Sequence, residues 1–295
     1  MAPIHHPVLV AEAVGFLDAA RGGLFVDCTV GLGGHTLALL ERGADQVIGL
    51  DRDPDALRLA AETLAAFAPR VELVHADFRD LDRVLDERGI GGVAGALADL
   101  GVSSLQLDSE GRGFSFRRDE PLDMRMDRTA GPTAAELLLS VDEKELADVI
   151  FQFGEERFSR RIARAIVTAR LTAPVETTGQ LAGIVRRAAP GRGHQRIDPA
   201  TRTFQALRIW VNRELDGIDR FLESASRRLL AGARLAVISF HSLEDRIVKH
   251  VFRALDRGEA TLKILTKRPI VPGDEELARN PRARSAKLRV IERTA

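Results

Sequence analysis

The chain has 295 residues, 45% of them hydrophobic, enough to bury one large core or two modest ones. Its 43 basic and 43 acidic residues leave no net charge; the single cysteine, Cys28, excludes an internal disulfide and a paired-cysteine zinc site, and the seven histidines show no ligand spacing. No apolar run nears the ~20 residues that span a bilayer and the N-terminus MAPIHHPVLVAEAV lacks a secretory pattern, so the expected setting is cytoplasmic, with no membrane partner and no metal.

Through the first hundred residues, apolar stretches alternate with helical patterns. Strands are expected at 24–29, 46–50, 71–75 and 93–100, and helices at 35–42, 54–67 and 81–88. Pro54 suits the first turn of its helix, with Asp53 as the cap. Such alternation implies a parallel, doubly wound sheet. After Leu100 the rhythm breaks: GVSSLQLDSEGRGFSFRRDEPLDMRMD has no clean period and reads as a long loop. Residues 132–215 read as helix, interrupted at Pro174 and at AAPGRGHQR. A strand pattern returns at 234–240 (RLAVISF), then a helix at 243–255 and strands at 261–265 and 287–291. The simplest account is an α/β domain, residues 1–105 and 213–295, with a helical insert at 106–212.

The neutral total hides an uneven distribution. Residues 157–213 hold twelve arginines against Glu176 and Asp198, whereas residues 101–156 hold six basic residues against thirteen acids. The basic segment reads as a phosphate-binding face, or as a solvated surface in a chain that prefers Arg to Lys.

The stretch FVDCTVGLGGHT closes the first strand with Asp27 and then supplies Gly31, Gly33 and Gly34 before a helix. That is where an open α/β sheet takes a nucleotide-like ligand. The third site of a dinucleotide fingerprint is occupied by Thr36, and no Gly-Lys-Ser/Thr tripeptide marks a phosphate loop. S-adenosylmethionine fits better, because it carries no phosphate. Its loop needs only glycines for close backbone approach, and a carboxylate after the next strand accepts the ribose hydroxyls. Asp51 ends the second strand, Asp77 and Phe78 follow the third with adenine as their expected contact, and Asp99 ends the fourth.

Several long stretches bear a resemblance to one family: HHPVLVAEAV, FVDCTVGLGGHT, GLDRDPDAL, LADLGVSSLQLDSEGRGFSFRRDEPLDMRMD, FGEERFSRRIARAIV, TRTFQALRIWVNREL, ISFHSLEDRIVK and NPRARSAKLRV. Together they resemble the ribosomal RNA small subunit methyltransferase H family, bacterial enzymes that methylate the exocyclic N4 amine of a cytidine in 16S rRNA at the decoding centre. The resemblance spans nearly the whole chain. It implies a Rossmann-like S-adenosylmethionine-dependent methyltransferase core with an inserted helical domain, and 16S rRNA or the small ribosomal subunit as partner. It leaves a homodimer open. Carried over position by position, it puts donor contacts on Gly33, Gly34, His35, Asp51, Phe78, Asp99 and Gln106. Phe153 stands where many relatives have tyrosine before the glycine.

Many amine methyltransferases accept from the amine with an Asp/Asn-Pro-Pro-aromatic motif, yet here the strand end reads Asp99-Leu100-Gly101-Val102-Ser103-Ser104. Asp99 is therefore the candidate catalytic group, with a purely structural acid as the alternative. Phe114 and Phe116 are candidates for a lid over the target base, or for loop packing against the sheet. Arg157, Arg160, Arg161 and Arg164 recur at helical spacing and would bind RNA phosphate. Trp210 reads as insert core. In HSLED (His241 to Asp245) the glycines of a nucleophile elbow are absent, so Ser242 is read as a helix cap. Two rival functions remain: methylation of a cytosine amine in DNA, and a catalytically silent RNA-binding assembly protein.

Overall fold

The structure, a computed structural model, describes residues 7–189 and 198–295. The chain divides into two compact units, Met1–Gly101 with Leu215–Ala295, and Val102–Glu214. The division falls a few residues from the boundaries expected at 105/106 and 212/213. Most of the AAPGRGHQR break lies outside the described residues.

In chain order the first unit runs α1 (Val10–Leu17), β1 (Leu24–Asp27), α2 (Gly34–Glu41), β2 (Gln46–Asp51), α3 (Pro54–Thr63), β3 (Val71–His75), α4 (Leu81–Asp86) and β4 (Val93–Asp99). The second unit supplies α5 (Ser104–Asp108), α6 (Ala134–Ser140), α7 (Glu143–Gly154), α8 (Ser159–Arg170), α9 (Thr178–Ala188) and α10 (Ala200–Asn212). The chain then returns with α11 (Ile218–Arg227), β5 (Leu229–Ser239), α12 (Ser242–Gly258), β6 (Leu262–Ile264), α13 (Asp274–Arg279) and β7 (Lys287–Arg293).

The seven strands form one sheet in the order β3-β2-β1-β4-β5-β7-β6. The first five are parallel, and β7 runs antiparallel to β5 and β6. This is the doubly wound, mainly parallel sheet that the alternation implied, and the Rossmann-like α/β fold that the resemblance implied. β1 lies between β2 and β4, so successive connections leave it in opposite directions. A crevice opens beyond the carboxyl ends at such a switch point, and Asp27 and Asp99 end its two strands.

Residues alternating along the strands bury opposite faces. Phe25, Val47 and Leu97 pack with Leu17, Leu39, Leu40 and Ala60 from α1, α2 and α3, while Val26, Ile48 and Ala98 share a core with Leu85, Phe221 and Phe252 from α4, α11 and α12. Gly95 is needed for space: a Cβ there would come within 2.5 Å of the Phe25 ring. Asp53 caps α3 from the residue before Pro54 and accepts from the Asp55 amide, as expected.

The sequence reading started the fifth strand late. β5 begins at Leu229, but its pairing with β4 jumps from Val93↔Leu229 to Gly95↔Arg234. The extra residues bulge at Gly232 (φ +75°), whose carbonyl accepts from Arg21 at 2.6 Å. That glycine hides the strand from a period-of-two count. In the same way α1 escapes, because its eight residues give too short a pattern to separate from a loop.

The second unit has its own core, built from residues such as Leu146, Ile150, Ile162, Ile166, Leu181, Phe204 and Leu207. Its long loop is stitched down by buried polar groups. Asn212 accepts from the Met126 amide and donates to the Met124 carbonyl, both at 2.7 Å, and Arg112 donates to the Met126 carbonyl at 2.9 Å. Gly113 (φ +72°) fits because a Cβ would meet the Pro121 carbonyl at 2.6 Å.

Candidate active site

The glycine loop and the strand-end acids of the first unit form one network. Asp51 accepts from the Gly31 amide through Oδ2 and from the Asp53 amide through Oδ1, each at 2.8 Å. Two backbone donors thus fix the carboxylate's plane and leave each oxygen lone-pair capacity for a further donor. Asp27, almost wholly buried, accepts from the Thr36 hydroxyl at 2.8 Å and the Thr29 amide at 3.2 Å. The Thr29 hydroxyl in turn accepts from the Asp99 amide at 2.6 Å, tying β1 to the end of β4. Gly33 (φ +85°) is the N-cap of α2 in a left-handed conformation, and a Cβ on Gly34 would strike the Pro7 ring at 2.6 Å.

His35 opens α2 and is buried. Its Nε2 lies 3.0 Å from the Val8 carbonyl oxygen, which can only accept, so Nε2 carries the hydrogen and Nδ1 is bare. Nδ1 faces Asp99 Oδ2 at 3.9 Å. Asp99 keeps 22% of its side chain exposed, yet its Oδ1 reaches no solvent and has no hydrogen-bond partner. Burial lowers the His35 ring to about 4 and raises Asp27 and Asp51 to about 6 each. Burial, with the charges of Asp27 and Glu244 adding to it, lifts Asp99 well above the carboxylate range.

Among the described residues no lysine or arginine pairs with Asp27, Asp51 or Asp99. Asp77 differs. Arg79 grips it through Nε and Nη2, both at 2.7 Å, and Arg52 stands 3.6 Å away. Asp77 also caps the turn that begins at Phe78. The sequence reading gave Asp77 to adenine and did not foresee that its oxygens also hold Arg79. Phe78 packs against Phe221 with ring centroids 4.9 Å apart, and Arg79 lies over its ring. At α12 the cap is His241, not Ser242. Its Nδ1 accepts from the Glu244 amide while Glu244 Oε2 accepts from the Phe240 and His241 amides. The imidazole does the work expected of the hydroxyl, and Ser242 becomes the first helical residue.

The remaining candidates belong to the second unit. The Gln106 side-chain oxygen accepts from the Ser103 amide and closes a capping box on α5. Phe114 is only 7% exposed and sits in the insert core, which corrects its assignment as a lid, since burial there removes the ring from any stacking surface. Phe116 meets Phe204 edge-on at 4.8 Å under the Arg186 guanidinium. On α8, Ile162, Ala163 and Ile166 turn inward while Arg160, Arg161 and Arg164 are exposed. Arg157 lies over Phe158, and Arg164 pairs with Glu143 at 3.2 Å. Among the described residues no acid pairs with Arg160 or Arg161.

A family model described as the MraW methylase family matches residues 2–294. The chain belongs to this family. Among its curated relatives, ribosomal RNA small subunit methyltransferase H of Geobacter sulfurreducens is 50% identical over 306 residues, covering 98% of each chain. The protein of that name from Cyanothece sp. is 52% identical over 291 residues, covering 98% of this chain and 95% of its own. That of Acidobacterium capsulatum is 50% identical over 299 residues, covering 98% of each.

Seen as a methylase cleft, the donor set is coherent: acids without basic partners, backbone amides, and glycines where a Cβ would intrude. Such a set suits a cationic ligand of nucleoside size. The sequence reading missed Thr29 and Thr36 as members of the network. One signal was present, in that residues 22–41 and 93–111 contain no lysine or arginine in a chain with 43 basic residues. Those two stretches carry Asp27, His35 and Asp99.

Proposed function

We propose that this chain transfers a methyl group from S-adenosylmethionine to small-subunit ribosomal RNA, at the exocyclic N4 amine of a cytidine in 16S rRNA. The observation that carries the reading is the cluster of three strand-end acids without basic partners at the sheet's switch point. It occurs in a chain about half identical, end to end, to enzymes named for that RNA.

Asp51, held by two amides, would accept the ribose hydroxyls; the backbone at Gly33, Gly34 and His35 would meet the amino-acid tail; Phe78 would flank the adenine. Gln106 and the Asp99 edge complete the proposed donor contacts. The bound sulfonium supplies an electrophilic methyl group. Cytosine's amine is a poor nucleophile because its lone pair is delocalised into the ring. Asp99, accepting an amine hydrogen, would return that pair to nitrogen, and holding the reactants in line supplies much of the remaining rate. The target base must leave its stack to be reached. Arg157, Arg160, Arg161 and Arg164 would bind the flanking phosphates, with Phe116 a secondary candidate for base contact.

The test is transfer of labelled methyl from S-adenosylmethionine to 16S rRNA, as naked RNA and as small subunits from cells lacking the gene. Digestion to nucleosides should place the label in N4-methylcytidine. Label in another nucleoside would replace the acceptor assignment, and no label in either substrate would overturn the function.

A further inference from the structure

We infer that Asp99 stands as a carboxylic acid against His35 in the donor-free enzyme, gives its proton to solvent when the cationic donor enters, and as carboxylate then takes the proton of the acceptor amine. The inference rests on the donor reading above and adds to it the route of the reaction's proton.

The geometry around Asp99 supports each part. The Val8 carbonyl fixes the His35 tautomer and leaves a bare lone pair on Nδ1, 3.9 Å from Asp99 Oδ2. At 3.9 Å the two are too far apart for a hydrogen bond, but a charged carboxylate oxygen facing that lone pair is repelled, whereas a hydrogen on Oδ2 removes the repulsion. Oδ1 is shut off from solvent without a partner. That is tolerable for a neutral carbonyl oxygen and costly for one bearing charge. The charged groups acting on Asp99 are Asp27 on β1 and Glu244 on α12, both acids, while His35 on α2 is neutral. Every neighbour therefore opposes ionisation until a positive charge arrives. Burial and those two acids also raise the Asp99 carboxyl, in the same direction.

Donor and product differ in one charge at the reacting centre: the sulfonium is positive and the thioether left behind is neutral. During transfer the N–CH3 bond forms as the S–CH3 bond breaks. The electron pair of the broken bond stays on sulfur, and the amine proton passes to Asp99. Positive sulfonium and negative carboxylate disappear together, and Asp99 is again an acid beside a neutral product. One proton reaches solvent per turnover, and it leaves at donor binding, not at methyl transfer.

Titration calorimetry of the whole protein near pH 7.5, in phosphate and in Tris, reads the protons from the dependence of heat on buffer ionisation. S-adenosylmethionine should release about one proton more than S-adenosylhomocysteine, and Asp99→Asn should abolish that difference. Equal counts for the two ligands, or a difference that survives in Asp99→Asn, would overturn the inference while leaving the donor reading intact. A second measurement needs only the wild-type chain. Its preference for donor over product should rise with pH through the neutral range, by up to about tenfold per unit, and a flat ratio would also overturn the inference. No heat from either ligand would overturn the donor reading and this inference with it.

Discussion

The acids at the sheet edge and the acids of the helical unit occupy opposite electrostatic settings. Asp27 and Asp51 are held by amides and one hydroxyl, Asp99 only faces a neutral imidazole at 3.9 Å, and burial raises all three. In the helical unit, Arg125 grips Asp123 at 2.7 and 3.0 Å, and Arg186 grips Asp198 at 2.8 Å. Burial is the largest single influence on those two and pushes them up, but the guanidinium hydrogen bonds, a backbone amide and the arginine charge together hold them below the ordinary carboxylate range. A paired acid has its compensation inside the fold. The strand-end acids have hydrogen bonds at most and no basic partner inside the fold, the pattern expected where residues are kept for chemistry.

The sharpest way to break this contrast is to remove one acid from each side. Asp99→Ala should lower the rate of methyl transfer at saturating S-adenosylmethionine by about 10³-fold or more, in the range of a lost proton acceptor. Near-normal turnover would take Asp99 out of the reaction. Asp51→Ala should weaken S-adenosylmethionine on the order of 100-fold by calorimetry, since two hydrogen bonds to a charged acceptor are lost. Asp123→Ala should do neither. It leaves Arg125 without its carboxylate, and its expected effect is a lower melting temperature of the helical unit. A donor affinity that falls as far in Asp123→Ala as in Asp51→Ala would erase the distinction.

Much of the sheet edge was legible because its logic is local. An apolar run, a terminal acid and a glycine turn predict β1 and α2, and Asp51 follows at the next strand end. What stayed hidden depends on partners distant in sequence. Nothing in VHADFRD distinguishes Asp77 from Asp51, yet Arg79 two residues on closes around the first. Phe114 looks like Phe116 in GRGFSFRR, but the loop that Arg112 and Asn212 pin down buries one ring and half-exposes the other. The choice of His241 over Ser242 as cap turns on a backbone angle that residue type alone does not set.

The two sets of acids should also part company with pH. Asp27 and Asp51 are raised to about 6, so between the usual carboxylate value and about 6 the folded form binds more protons than the unfolded form. Asp27 and Asp51 should therefore add stability to the donor-free sheet unit as pH falls from 7 to 5, by on the order of 2 kcal/mol; the raised Asp99 acts in the same direction, and His35, lowered to about 4, opposes them. Asp123 and Asp198 are lowered, so their contribution is complete above the ordinary carboxylate value and disappears only as pH falls through the lower, folded one. Hydrogen exchange followed unit by unit should show slower opening of the β1, β2 and β4 amides at pH 5 than at pH 7. The α7 to α9 amides, once corrected for intrinsic rates, should hold steady. Parallel behaviour of the two units would mean the strand-end acids are compensated by something other than a ligand.

The smallest expected effect concerns the arginines that have no acid of their own. Arg160 and Arg161 are exposed on α8 beside the buried Ile162 and Ala163, so replacing both with alanine removes charge without opening the insert core. Each phosphate contact on single-stranded RNA contributes about 0.7 to the slope of log affinity against log salt. The double variant should therefore flatten that slope by about 1.4 and weaken RNA binding severalfold at moderate salt. S-adenosylmethionine affinity should be unchanged. Arg164→Ala, whose guanidinium already serves Glu143, should move the slope less than either free arginine. A double variant with an unaltered slope would remove α8 from the RNA interface and turn the search toward Arg187 on α9, which is also exposed.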